Sequence, residues 1–533
     1  MADIAPPSGA VPAPPIPAAR RLSERAKLIL FGVMAFGQFM ALLDIQIVAA
    51  SLNNIQAGLN AGPEEISWVQ TAYLMAEIVM IPLSGFLSQA LSTRWLFAGS
   101  AALFTIASMA CGFAWDIHSM IFFRAIQGFV GGAMIPTVFS AGFSMFEGKK
   151  AAMIPAILGM VSTLAPTLGP TVGGWITGVA DWRWLFFMNV GPGIVITILV
   201  PILGKIDDAN PAMLKKIDWA HLVGLALCLG SFQYMLEQGP QHEWFNDVGV
   251  TTSAWLALVG LLLFLERSFF SKFPLVKLSA FKRPTFALAC AFNVVIGFGL
   301  YGATYMMPIF LGRVRGYDSL EIGTTVFVTG VAMFFSAPLA ARATIFVDQR
   351  IVIGAGFTLF ALGLWLTSAI GPEWGFWQLF IPQVVRGFSI LLCIVPSVSM
   401  ALAGLSGPDL RYGSGLFNLT RNLGGAIGIA LANTWLSDSA RLHFLRISEG
   451  MGNAAQAGGE MLQGLASQMP TVDPVRALQM AQSEMGRVVT RQALTLAFDD
   501  VFRLMAFLFL GGLLLIPFAE KTQLSDGAPI SEH

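Results

Sequence analysis

Fourteen stretches of about 20 mostly apolar residues follow one another along the chain, each long enough to cross ~30 Å of hydrocarbon as a helix. They run over 28–51, 67–90, 95–114, 119–143, 152–178, 184–203, 219–238, 249–269, 285–311, 321–341, 351–370, 376–403, 412–436 and 500–519. Charged residues make up only 12% of the 533, about half the share found in soluble domains. A soluble fold is excluded. The chain reads as an all-α integral membrane protein.

An even number of spans puts both ends on one side. With the N-terminus inside, the short inner segments carry 19 basic residues, and the short outer loops carry only Arg183, Arg313 and Arg315. That asymmetry places both termini in the cytoplasm and the long segment 438–499 outside. Residues 1–26 are rich in Pro and Ala, ending near Arg20, Arg21 and Arg25, with no basic region ahead of an apolar core. They read as a disordered cytoplasmic tail rather than a cleavable signal, and 521–533 reads as a second tail. The outer segment mixes Gln, Ser, Met and Ala between breaks at Gly450–Gly459 and Pro470–Pro474. Short amphipathic helices joined by those breaks are expected there.

Several function classes fall away. Thirty-one basic and 31 acidic residues cancel, so nothing points to a nucleic-acid partner. The four cysteines all lie inside apolar segments, which argues against a disulfide framework. The five histidines are scattered, none at metal-ligand spacing. The chain has no GxxxxGK[ST] loop for ATP, and no nucleophile–base pair at usable spacing. The sequence calls for no cofactor and no metal, and the chain does not read as an enzyme.

The fifth span is unusual. It carries Gly159, Pro166, Gly169, Pro170, Gly173 and Gly174, a set that a soluble helix would not tolerate. In lipid, neighbouring helices and threonines can re-satisfy the freed backbone groups. Gly169 and Gly173, four apart, clear one side for another backbone to approach. Pro166 and Pro170 remove two amide donors and bend the axis. The segment is either an ordinary packing helix or a packing surface and hinge together.

Gly-Pro-x-x-Gly-Gly, ten residues after Gly159, resembles the antiporter motif of the major facilitator superfamily. The next stretch, Asp181-Trp-Arg-Trp-Leu-Phe-Phe-Met-Asn189-Val, is similar to its 14-helix drug:proton branch, of EmrB/QacA type. The resemblance runs from about Leu43 to the end of the chain. It implies a major facilitator fold: two six-helix bundles, in 27–204 and 284–520, and two peripheral inserted helices in 205–283. It also implies a proton-coupled antiporter that exports amphipathic or hydrophobic compounds. A weak internal repeat agrees, with Gln127-Gly-Phe and Pro136 in one half against Arg386-Gly-Phe and Pro396 in the other. In Gram-negative relatives, exporters of this branch sit in the inner membrane and look outward to a periplasmic adaptor and an outer-membrane channel. The segment 438–499 is then either a docking element or a loop without a partner.

Charged groups inside spans are costly and usually functional. Five stand out: Asp44, Glu77, Arg124, Arg386 and Arg421. Asp44 lies ~24 Å up its helix and Arg124 ~7 Å below the opposite face, so the two reach similar depth and can pair if their helices are neighbours. Glu77, Arg386 and Arg421 lie ~14–15 Å from a helix end, near mid-membrane. Leu43-Asp44-Ile-Gln-Ile-Val resembles the branch's first-helix motif, with Gln46 in the threonine place. Arg124-Ala-Ile-Gln-Gly128 resembles its fourth-helix motif, and Asn418-Leu-Thr-Arg421 has a counterpart in EmrB-like proteins. The resemblance implies roles in coupling for Asp44 and in proton transfer for Arg124; a purely structural ion pair is the alternative. Gln70, Tyr73, Glu77 and Ser84 share one face of the second helix. Desolvation disfavours the charged form of an acid at that depth, so Glu77 is either a proton carrier or a counter-ion to Arg386 or Arg421.

The loop after the second helix departs from the family's Gly-x-x-x-Asp-Arg-x-Gly-Arg. It reads Gly85-Phe-Leu-Ser-Gln89-Ala-Leu-Ser-Thr-Arg94, without the acid and the first arginine. Any charge latch on the inner face is weaker or built otherwise. A cargo cavity is suggested by Asn293, Tyr301, Tyr305, Met306 and Met307 in the ninth span, since aromatic and Met side chains adapt to varied apolar ligands. Tyr73, Gln70, Arg386, Asn418 and Arg421 complete the candidate substrate residues. Two rival readings stand beside drug export: an exporter of one endogenous metabolite, such as a fatty acid or siderophore, and a membrane sensor or scaffold that transports nothing.

Overall fold

The computed structural model describes residues 22–519 except 63–64, 147, 454–461, 465 and 468–472. Most of the expected tails 1–26 and 521–533, with Arg20, Arg21 and Lys521, lies outside the described residues. The first tail ends earlier than expected, because Ser23 already caps a helix that starts at Glu24, accepting from the Ala26 amide at 3.2 Å.

Seventeen helices are numbered here. They are α1 (Glu24–Ala50), α2 (Leu52–Leu59), α3 (Trp68–Leu91), α4 (Thr93–Gly112), α5 (Ile117–Gly131) and α6 (Met134–Met145). Next come α7 (Ile154–Val179), α8 (Trp184–Phe187), α9 (Val190–Leu203), α10 (Trp219–Gln238) and α11 (Val248–Phe270). The second part holds α12 (Pro284–Arg313), α13 (Ser319–Phe346), α14 (Gln349–Thr367), α15 (Phe376–Leu402), α16 (Gly407–Asn453) and α17 (Pro474–Gly511). Aspartates mark many starts. Asp116, Asp218, Asp247, Asp318 and Asp348 each accept an amide hydrogen bond from the first turn, meeting donors that have no helical partner.

Among the described residues, thirteen helices or helix pairs are long and apolar enough to cross a membrane. The remaining expected span, 412–436, lies inside α16. Asn418, Thr420, Arg421 and Asn422 lower its mean hydropathy, so composition alone does not single it out. Below, the near face is the one where α1 begins, and the far face is the opposite one.

Two helix-on-helix contacts recur. Gly169 of α7 lies against Gln46 of α1, and a side chain on Gly173 would come within 3.0 Å of the Ile47 carbonyl and the Ser51 hydroxyl. In the second part, Gly424 and Gly428 of α16 lie against the Val294 and Phe298 backbones of α12. Likewise Gly128 of α5 presses on the Tyr73 carbonyl of α3, and Gly387 of α15 on the Thr329 carbonyl of α13. The Gln127-Gly-Phe and Arg386-Gly-Phe repeat thus marks equivalent contacts, as parallel repeats demand.

Helix α7 stays continuous through Pro166 and Pro170. The Thr163 and Thr167 hydroxyls donate back to the Gly159 and Thr163 carbonyls at 2.9 Å, not to the Ser162 and Pro166 carbonyls that the prolines leave free. Two expectations need correction. Among the described residues the far-side segment is not made of short helices alone: α16 runs 47 residues to Asn453 and α17 runs 38 residues from Pro474, with 462–464 and 466–467 helical between them. At 1.5 Å per residue, α16 is about 70 Å long, over twice the bilayer core. Residues 454–461, with most of the expected Gly450–Gly459 break, lie outside the described residues, while Gly450–Asn453 is helical. The other correction concerns the inserted pair. Helix α11 turns most of its surface outward, as a peripheral helix should; α10 is also largely unburied, but its far end lines the centre of the molecule.

Candidate functional site

Helix α10 is wedged by its far end between α3 and α16. Tyr234 meets the Trp68 ring at 5.5 Å, and the Gln238 amide reaches the buried Thr71 hydroxyl at 3.4 Å. Just beyond, the Trp244 indole donates to the Thr434 hydroxyl at 2.9 Å. These contacts bring α10 to the wall of a central cavity.

Each surrounding helix contributes one face. Gln70, Leu74, Glu77 and Ile78 come from α3, at i, i+4, i+7 and i+8. Helix α12 gives Tyr301 and Tyr305, one turn apart, and α16 gives Asn422, Ala426, Ile429 and Asn433. Helix α1 adds Leu42, Ile45 and Gln46, and α7 adds Pro166. From α10 and its end come Gln233, Leu236, Glu237 and Gln241. Two carboxylates line this wall, and none of its residues is basic. An apolar pocket with a few polar groups is the usual form of a small-molecule site.

Glu77 is only 4% exposed, and no hydrogen bond or ion pair holds its side chain among the described residues. It lies nine residues into α3, ~14 Å from the far end. Neither Arg386 nor Arg421 pairs with it. Arg421 donates to the side-chain Oδ1 of Asn418 at 2.7 Å and faces the Phe139 ring of α6 at 5.8 Å. Its Nε and Nη1 have no hydrogen-bond partner, nor has Nη1 of the buried Arg386. The Asn293 amide donates to the Phe417 carbonyl at 2.5 Å, tying α12 to α16. Asn293, Asn418, Arg386 and Arg421 stand behind the cavity wall rather than in it.

The expected pair of Asp44 and Arg124 forms at 2.6 Å, with both side chains fully buried. Asp44 also accepts from Asn189 at 2.7 Å and from Gln127 at 3.1 Å. Arg124 donates through Nε to the Val69 carbonyl at 3.2 Å and lies 4.2 Å over the Tyr73 ring. Tyr73 is therefore committed to this cluster and does not line the cavity, although its depth is right. Around an α-helix it lies about 60° away from Gln70, enough to turn it toward α5. Met306 and Met307 are fully buried in the core.

Sequence reasoning missed Gln46, Gln233, Glu237, Gln241, Asn422 and Asn433. Two pairs carried a signal: Gln233 and Glu237 at i and i+4, and Asn422 and Asn433 at i and i+11, each on one helix face.

The near face is closed by other means than the family pattern. Gln89, where the family has its acid, donates to the Gly85 carbonyl within its own helix at 3.0 Å. Asp207, in the linker after α9, instead accepts from the Thr93 amide and hydroxyl at 2.9 and 2.7 Å. It also forms an ion pair with Arg411 of α16 at 2.7 Å. Gly85 leaves room for this crossing; a side chain there would come within 3.0 Å of the Arg411 carbonyl.

Comparison with known proteins adds the family. The pattern described as Major Facilitator Superfamily matches residues 34–429. The colistin resistance protein EmrB of Acinetobacter baumannii is 39% identical over 501 residues, covering 94% of this chain and 98% of that protein. The multidrug export protein EmrB of Escherichia coli K12 is 28% identical over 505 residues, covering 93% and 96%. The fatty acid resistance protein FarB of Neisseria gonorrhoeae is 29% identical over 413 residues, covering 77% and 81%. Among solved structures, the human organic anion transporter MFSD10 superposes with a TM-score of 0.54 at 14% identity, covering 91% of this chain and 99% of that one. That likeness bears on the fold alone.

Proposed function

Because the chain belongs to the Major Facilitator Superfamily, in its drug:proton antiporter branch, we propose that it expels amphipathic, mostly hydrophobic compounds in exchange for protons. Two six-helix halves, 27–204 and 284–520, alternate access to the cavity between them. One observation carries this reading: a partnerless, deeply buried Glu77 in the wall of a cavity that both halves enclose. An acid so placed gains from being neutral when the cavity is dry and from being ionised when water or a cation reaches it. Cargo and proton then compete for one group, which is the least that exchange requires.

In this scheme Glu77 is the proton carrier, and the Asp44–Arg124 cluster couples α1 to α5. Gly159, Pro166, Gly169, Pro170, Gly173 and Gly174 form the hinge on which α7 moves. Gln70, Tyr301 and Tyr305 touch the cargo. Tyr73, Asn293, Arg386, Asn418 and Arg421 would meet it only in another arrangement of the halves. The near face is cytoplasmic, both termini lie on that side, and the membrane is the bacterial inner membrane.

The far-side extensions of α16 and α17 expose Leu442, Phe444, Leu445, Val475 and Leu478, a surface suited to a periplasmic adaptor that leads to an outer-membrane channel. Deleting 450–470 would then stop export across both membranes and spare proton-driven uptake in vesicles. The name of the relative FarB keeps a fatty-acid cargo in view, but a wall with two carboxylates and no base would repel a carboxylate head group. A scaffold that moves nothing would gain little from buried charges.

The test is uptake of a fluorescent dye into energised inverted vesicles. Accumulation should collapse on adding a protonophore. Accumulation that ignores the proton gradient would sink the antiport reading.

A further inference from the structure

The inserted helix α10 does more than fill space. Its last turn carries Glu237, which faces the cavity and makes no hydrogen bond or ion pair among the described residues. Three contacts hold that turn in place: Tyr234 on Trp68, Gln238 on Thr71, and Trp244 on Thr434. The backbone that carries the carboxylate is thus held in place.

Its surroundings favour a positive charge. Tyr305, Asn433 and Gln241 line the same cavity and are all neutral, with Glu77 deeper in. No Lys, Arg or His lines the wall. Glu237 also sits at the C-terminal end of α10, where the helix's own carbonyls add partial negative charge and stabilise cations. Glu77, nine-tenths buried and without a partner, faces the same space. An unpaired carboxylate at a helix C-terminus, in a wall without a base, is relieved either by taking up a proton or by a cation that enters the cavity.

The two acids differ in depth. Gln238 meets α3 at Thr71, and Glu77 lies six residues further along α3, ~9 Å deeper at 1.5 Å per residue. They act on different parts of a bound molecule.

Resting on the exporter reading above, we propose that Glu237 is a specificity-determining residue. It binds the cationic group of an amphiphile in the far half of the cavity, while the apolar body lies against Leu74, Ile78 and Ile429. The inserted pair then sets which cargo is accepted, and Glu77 remains free to exchange its proton.

The experiment compares a cation with a neutral compound on the purified full-length protein in nanodiscs. Equilibrium binding is measured for tetraphenylphosphonium and for Nile red, with wild type, Glu237→Gln and Glu237→Asp. The expected result is a loss of about tenfold in tetraphenylphosphonium affinity for Glu237→Gln, with Nile red within about twofold. Glu237→Asp should retain most of the cation preference. Equal loss for both compounds means that Glu237 supports the fold, and unchanged affinities mean that the cation is read elsewhere. No saturable tetraphenylphosphonium binding to wild type also overturns the proposal. Transport is scored separately in proteoliposomes with an imposed proton gradient. Failure there with cation-selective binding intact would refute export without touching Glu237.

Discussion

Asp207 and Arg411 meet at 2.7 Å across the near face, joining the linker behind α9 to the first turns of α16. Asp207 is held from the other side by the amide and hydroxyl of Thr93, so one carboxylate bridges the α3–α4 turn and the second half of the chain. This contact supplies the charge that the loop 85–94 has lost.

Removing it should loosen that face. In Asp207→Asn, the half-buried guanidinium of Arg411 loses its partner, and breaking a buried pair costs about 3–5 kcal/mol in well-shielded cases. A cysteine placed at Ser88, which is buried at the near end of α3, should become several-fold more reactive to a water-soluble maleimide. The exchanged pair Asp207→Arg with Arg411→Asp should restore protection. Unchanged reactivity in Asp207→Asn would mean that backbone packing at Gly85 closes the face without help.

Gly173→Leu tests the hinge. The new side chain meets the Ile47 carbonyl and the Ser51 hydroxyl at once, so α7 must stand away from α1. Cargo binding should persist while the exchange rate falls at least about tenfold, because misplaced helices raise the barrier between states. Wild-type rates would return α7 to plain packing.

Glu77→Gln mimics the protonated acid permanently. The variant should keep cargo binding, lose its dependence on pH between about 6 and 8, and fail to pump uphill. Uphill efflux at wild-type rates would move the coupling acid elsewhere, with Asp44 the first to examine.

Asp44 has a different prospect, because it does not reach the cavity wall. Its oxygens are taken by Arg124, Gln127 and Asn189. Asp44→Asn leaves a fully buried guanidinium uncompensated, and a loss of about 3–5 kcal/mol is expected. Thermal unfolding in detergent should show it as a lowered midpoint, with Nile red affinity little changed in whatever remains folded. A stable variant with impaired cation binding would assign Asp44 a direct hold on cargo.

Topology can be checked with the same labelling chemistry. An impermeant reagent added to intact cells should modify a cysteine at Ser483, exposed on the far-side part of α17, and spare one at Ser406. The four native cysteines are buried or half-buried, so background is low. The reverse pattern would invert the protein in its membrane.

Much of this arrangement was legible in advance because hydrocarbon leaves few options. Apolar length alone gave the spans, and depth arithmetic alone brought Asp44 to Arg124. The glycine pair in α7 announced a close neighbour and found α1. What failed was rotation. Tyr73 and Asn293 have the right depth but turn away from the cavity, and a periodicity of 3.6 cannot say which face looks inward until neighbours are known. Glu237 and Asp207 failed for another reason. Each sits at a helix end or in a linker, where charge is ordinary, and only packing by distant segments turns it into a working part. The inserted helices looked peripheral since nothing in 205–283 names α3 or α16 as neighbours.

Asn422 and Asn433 share one unbroken helix with Phe444 and Leu445, which stand clear of the membrane on the far side. A rod cannot lean at one end only. A tilt of about 5° at the cavity displaces Asn453, some 20 residues or ~30 Å onward, by roughly 3 Å. The helix is a pointer whose needle lies outdoors: whatever grips it can read whether the binding chamber is occupied, and by holding it still can stall the cycle without touching the cargo.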